Sequence, residues 1–153
     1  MEIRKWNKSD TIPYELLLLA DPDRSAIDGY FLQSDTFLLL EGEGECVCGV
    51  VCIQNGEDSS EIVNIAVSPS YQGQDYGKKL IQRAIRHALG LHKSTLIVKT
   101  ANSSIQALAF YQKTGFRMVA IIPDYFTQNY VNPIFENGIR AQDQIVLVYF
   151  LQN

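Results

Sequence analysis

Residues 61–80 constrain this chain more than any other stretch, because they read as a strand, a glycine-bearing turn and a helix in immediate succession. The strand prediction covers 61–67, rich in β-branched side chains and stopped by Ser68-Pro69, where a missing N–H ends ladder pairing. The helix prediction rests on Tyr76, Leu80, Ile81, Ala84, Ile85, Ala88 and Leu89, whose three-to-four spacing makes one apolar stripe. Between them, Gly73 and Gly77 permit positive φ or close backbone approach. The unpartnered N–H groups at the helix start can then converge on an anion, with Lys78 and Lys79 adding charge. An ordinary tight connection has the same ingredients, so this stretch alone leaves a phosphate site and a plain turn both open.

A strand and helix of this kind need a core around them. A chain of 153 residues is long enough for one domain over 1–153, burying about two-thirds of its unfolded surface without disulfides or a metal. No apolar run approaches bilayer length, and residues 1–6 carry no apolar signal region, so a cytoplasmic protein with no membrane partner is expected. A net charge of −4 argues against nucleic acid and suits a cationic amine better. Cys46, Cys48 and Cys52 share one strand-like run and one parity, which is poor disulfide geometry, and neither His87 nor His92 stands at a metal-site spacing from them. Buried, reduced thiols and no metal are expected, and both histidines are expected on solvated surface.

The remaining elements follow in order. Residues 2–6 read as a strand; Ser9-Asp10 offers a helix cap before an apolar helical body at 14–20. Asp21-Pro22-Asp23 then breaks that helix and starts another at 24–32, with Ile27, Tyr30 and Phe31 on its buried face. Strands at 36–41 and 45–54 flank Gly42-Glu43-Gly44, a connection short enough for an antiparallel hairpin. Beyond the long helix come a strand at 94–100, a helix started by Ser103 or Ser104 and stopped by Gly115, and a strand at 117–122. Residues 123–142 form a polar and aromatic excursion before a last strand at 144–151; so long a loop is expected to be functional.

Two motifs now carry a resemblance. Ile65-Ala66-Val67-Ser68-Pro69-Ser70-Tyr71-Gln72-Gly73, continuing to Gly77, is similar to the strand and pyrophosphate loop of the GNAT acetyltransferase superfamily. Phe110-Tyr111-Gln112-Lys113-Thr114-Gly115-Phe116 resembles that family's second hallmark. The resemblance implies an α/β fold, a central mixed, mostly antiparallel sheet of about seven strands flanked by about four helices. It departs at Asp75, where the family has glycine; a carboxylate there opposes pyrophosphate, although Asp tolerates left-handed backbone geometry and is a good N-cap.

The same resemblance implies transfer of an acetyl group from acetyl-CoA to an amine by direct attack on the thioester. Cofactor contacts are implied for Gln72, Gly73, Gln74, Asp75, Tyr76, Gly77 and Lys78, with the backbone of Ile65, Ala66 and Val67 pairing with pantetheine amides like an added strand. Tyr111 is the implied acid for the departing thiolate, against a plain role as a core aromatic. The family's asparagine stands seven residues before the tyrosine; here Asn102 stands nine before and Ser104 seven, so either makes that polar contact or merely caps the helix. Glu61 is the candidate base or a solvated edge charge, with Asp124 and Glu136 as alternatives. Tyr30, Tyr125, Phe126 and Glu136 are the candidate acceptor residues, and exposed aromatics of the late segment would suit a homodimer seam. The competing function is a CoA-binding regulatory or catalytically degenerate module.

Overall fold

A computed structural model describes residues 1–44 and 46–152. Its strands are β1 (Glu2–Lys5), β2 (Asp35–Glu41), β3 (Cys46–Asn55), β4 (Ser59–Val67), β5 (Thr95–Ala101), β6 (Arg117–Ile122), β7 (Phe135–Glu136), β8 (Ile139–Arg140) and β9 (Gln144–Phe150). Glu45, the expected start of the third strand, lies outside the described residues. Seven strands form one sheet in the order β1-β2-β3-β4-β5-β9-β6, and β7 pairs with β8 in a separate hairpin. The helices are α1 (Tyr14–Ala20), α2 (Arg24–Tyr30), α3 (Tyr76–Gly90), α4 (Ile105–Lys113) and α5 (Tyr125–Asn129). That is one helix more than the sequence suggested, because α5 sits inside the excursion at 123–142.

Each sheet face buries its own apolar set. On one face, Leu80, Ile81, Ala84 and Ala88 of α3 pack against Phe37, Leu39, Val51 and Leu96. On the other, Leu16, Leu17 and Ile27 of α1 and α2 pack against Leu38, Leu40 and Val50. Full burial of a Leu or Ile side chain stabilises by about 1.5–3 kcal/mol, so these two layers fix where the sheet's edges and gaps fall. At the end of α4, Gly115 adopts φ +105°, and a Cβ there would stand 2.8 Å from the Tyr149 ring. Only glycine makes that stop without strain.

The consequential gap lies beside β4. It pairs with parallel β5 only over Ser59–Ile62, then the two strands diverge, leaving one backbone edge of 63–67 unpaired. A register shift opposite Cys52 and Ile53 makes Val63 the extra residue of a bulge, so Asn64 turns to the α1 and α2 face.

Several local expectations give way to tertiary contacts. The helix cap expected at Ser9-Asp10 is not made: Asp10 takes a bidentate pair from Arg4, both at 2.8 Å, and α1 begins after Pro13 with no side-chain cap. A register shift in the β2–β3 ladder breaks the cysteine parity, so Cys48 is buried with the α3 layer and Cys52 with the other, while Cys46 is exposed. His87 is not on solvated surface: its ring lies against Phe37 and its Nε2 is 2.8 Å from Asp35 Oδ2.

Candidate active site

The end of β4 and the start of α3 are joined by a loop whose backbone conformation is unusual at two positions. After one tight turn at Pro69–Tyr71, Gln72 sends Nε2 back to the Val67 carbonyl at 3.0 Å, clamping the loop to the strand. Gly73 has φ +79° and Asp75 has φ +64°, both left-handed. The first bond of α3 runs from the Lys79 N–H to the Asp75 carbonyl at 3.1 Å. The N–H groups of Tyr76, Gly77 and Lys78 precede that bond and have no intrahelical acceptor, so they are donors for an anion. Asp75 supplies the left-handed turn, but its side chain makes no capping bond and is exposed. A Cβ on Gly77 would lie 3.2 Å from the Phe110 ring, so the start of α3 lies hard against α4.

From this loop a channel of about 580 Å³ runs along Ile65–Val67 to Tyr111, with Gly73, Asp75 and Lys78 at its outer end. Gln74 is exposed and is not part of its wall. The channel's donors fit an elongated ligand of the kind the resemblance implies, with phosphates on the helix start and amides along the open β4 edge. At the inner end Tyr111 is 9% exposed, packed against Phe110 and Phe116. Burial pushes its phenol up to about 12, so it is a neutral O–H donor at any physiological pH.

A second cavity, of about 480 Å³, continues from Tyr111 through the gap between β4 and β5. It opens into a third, of about 650 Å³, walled by Asp21, Glu61, Tyr125, Phe126, Tyr130 and Glu136. Aromatic rings and carboxylates together suit an amine with an apolar body. Phe126 stacks on Tyr130 with centroids 5.7 Å apart, a pairing set by their four-residue spacing on α5 and just beyond it. Tyr30 stands behind this wall: its hydroxyl accepts from Asn64 Nδ2 at 3.0 Å and donates to Asp21 Oδ2 at 3.3 Å, and burial raises its pKa. Glu61 pairs with Lys99 Nζ at 3.1 Å.

The asparagine alternative separates cleanly in space. Asn102 Oδ1 accepts the N–H groups of Gln142 at 2.8 Å and Asp143 at 3.0 Å, and its Nδ2 donates to the Arg140 carbonyl at 3.1 Å. Its side chain therefore anchors the late segment and faces none of the three cavities. Ser104 lines the second and third cavities and donates to Glu136 Oε1 at 2.9 Å. Asp124 Oδ1 is taken by Gln142 Nε2 at 3.2 Å. Sequence reasoning missed Asp21, Lys99 and Tyr130 as wall residues; only the aromatic spacing of Phe126 and Tyr130 offered a signal beforehand.

Comparison with known proteins gives a consistent result. The sequence model of the acetyltransferase (GNAT) family matches residues 2–116. An uncharacterized N-acetyltransferase of Bacillus subtilis strain 168, YvbK, is 41% identical over 134 residues, 88% of this chain and 86% of that protein. The crystal structure of a GNAT family acetyltransferase from Elizabethkingia anophelis with acetyl-CoA bound superposes with a TM-score of 0.92 at 36% identity, covering 98% of this chain and 97% of the other. An IAA acetyltransferase from Bacillus cereus ATCC 14579 superposes with a TM-score of 0.89 at 41% identity, covering 98% and 99%.

Proposed function

The chain belongs to the acetyltransferase (GNAT) family, and from that premise we propose that it moves the acetyl group of acetyl-CoA onto a primary amine by direct attack on the thioester. The observation that carries this reading is the position of Tyr111, on the wall of both the cofactor channel and the cavity leading to the acceptor side. Pyrophosphate sits on the N–H groups of Tyr76, Gly77 and Lys78, and pantetheine lies along Ile65–Val67. The amine enters past Tyr125, Phe126 and Tyr130, and Tyr111 hands its proton to the departing sulfur. The aromatic walls favour a small molecule over a folded protein surface as acceptor.

The test is calorimetric titration with acetyl-CoA, followed by thiol-release assays with phenethylamine, tryptamine and putrescine as acceptors. Micromolar binding with turnover of an amine supports the reading. Binding that appears only in Asp75→Gly, without turnover, favours the regulatory or degenerate module instead, because Asp75 places a carboxylate on the channel wall. For the oligomeric state, the supporting feature is edge strand β6, all six of whose residues are exposed, Met118, Val119 and Ile121 among them. Such an edge suits antiparallel pairing with a second copy, which sedimentation at ten-micromolar protein tests.

A further inference from the structure

Three carboxylates face the acceptor cavity, and they are not equivalent. Glu61 is neutralised by Lys99 at 3.1 Å and borders only the outer acceptor cavity. Asp21 also borders only that cavity, and its Oδ1 and Oδ2 are engaged by the Asp23 N–H and the Tyr30 hydroxyl. Glu136 borders both this outer cavity and the one of about 480 Å³, so it stands where the acceptor passage meets the cavity that reaches Tyr111. Its Oε1 accepts from Ser104 Oγ at 2.9 Å and Ser103 Oγ at 3.4 Å, and among the described residues no cation pairs with it. The hairpin that carries it is pinned: Asn137 Nδ2 donates to the Ser103 carbonyl at 2.8 Å, and Asn137 exchanges bonds with Gln106 at 2.9 and 3.0 Å. Asn64 lines the cavity nearer Tyr111 as well, but it is 4% exposed and its Oδ1 is shielded from solvent, so it offers the acceptor no oxygen.

We propose that Glu136, carried by the β7–β8 hairpin, is the catalytic carboxylate that receives the acceptor's ammonium group and takes its proton; this rests on the acetyltransferase reading above. The ammonium proton passes to Glu136 Oε2 and onward to solvent. The freed lone pair attacks the acetyl carbonyl carbon, the C–S bond breaks, and sulfur takes the Tyr111 proton. The nitrogen of the adduct sheds its second proton to the Tyr111 oxygen, so the products are the acetamide, CoA thiol and one released proton. Glu61 holds Lys99 in place rather than moving a proton.

The experiment compares the natural protein with Glu136→Gln and Glu61→Gln, using phenethylamine, tryptamine and putrescine as probes. It reads amine binding by calorimetry at saturating CoA and kcat/KM between pH 6 and 10. Glu136→Gln is expected to lose about 100-fold in kcat/KM at about pH 7, the lower end of general-base effects, with the deficit shrinking toward pH 10, where free amine reaches the site without needing a base. Its acetyl-CoA affinity should hold within twofold, which also reports that it is folded. Glu61→Gln should lose less than a tenth of that. An equal or larger loss in Glu61→Gln, or a Glu136→Gln deficit that is the same at pH 6 and pH 10, overturns the proposal while leaving the acetyltransferase reading intact. A natural protein that binds acetyl-CoA yet turns over no amine overturns both.

Discussion

The two ends of the proposed catalytic cleft, one for the cofactor and one for the acceptor, are built in different ways. The cofactor end is made by contiguous backbone: the open edge of β4, two left-handed residues at 73 and 75, and the free N–H groups of α3, all within 15 consecutive positions from Ile65 to Lys79. The acceptor end is made by side-chain bonds between segments far apart in sequence. Asn102 reaches 38 to 41 positions ahead, Ser104 reaches 32 to Glu136, and Asn64 reaches back 34 to Tyr30. A backbone-built site tolerates many side chains provided each position accepts its φ and ψ, whereas a site built from side-chain bonds is lost one residue at a time. This difference predicts that acceptor preference is far easier to change by single substitutions than cofactor binding.

The largest effect on stability should fall on Asn102→Ala. Losing its three bonds leaves two backbone N–H groups and one carbonyl without their partner, which should lower stability by about 2–3 kcal/mol. The acceptor KM should rise about tenfold through the loosened hairpin, with acetyl-CoA affinity within twofold; a matched loss of CoA affinity would mean the two ends are not built separately. Next in size is Asp75→Val, which forces a β-branched residue into a left-handed position at a cost of about 1–2 kcal/mol and should weaken acetyl-CoA about tenfold. Asp75→Gly keeps the turn and removes the charge, so acetyl-CoA should bind about threefold more tightly. Weaker binding in that variant would show that the carboxylate, not the backbone, organises the loop.

The smallest effect concerns neither end. Asp35 borders none of the three cavities; burial pushes its carboxyl up, but hydrogen bonds from Lys5, His87 and Asn55 outweigh burial and hold it below the usual range. A lowered folded pKa contributes stability that is present above the unfolded value, about 3.9, and is lost as pH falls through the folded one. Denaturant midpoints should therefore drop more steeply below pH 4 in the natural protein than in Asp35→Asn. Parallel slopes would remove this cluster from the acid response.

The backbone of the proposed cofactor end was legible in the sequence because its signals are local. Glycines, a proline stop and helical spacing each act within a few residues, and the left-handed tolerance of Asp matched the backbone at 75. The acceptor end was less legible for the same reason. Nothing near Asn102 announces that its amide will be spent on 140–143, and no local pattern says that Lys99 will take Glu61. Two bulges compounded this: one moved Cys48 off the face of Cys52, and the other put Asn64 beside Tyr30, and a bulge erases the period-two rule on which face assignments rest. His87 was misplaced because Asp35, 52 positions away, draws its ring inward.

Both ends meet at Tyr111, so the decisive measurement is kcat for Tyr111→Phe beside its acetyl-CoA dissociation constant. A buried, neutral phenol acting as the acid predicts a fall in kcat of about 100-fold with affinity held within twofold. An unchanged kcat would contradict this, leaving Tyr111 as packing between Phe110 and Phe116 and returning the departing thiolate to solvent.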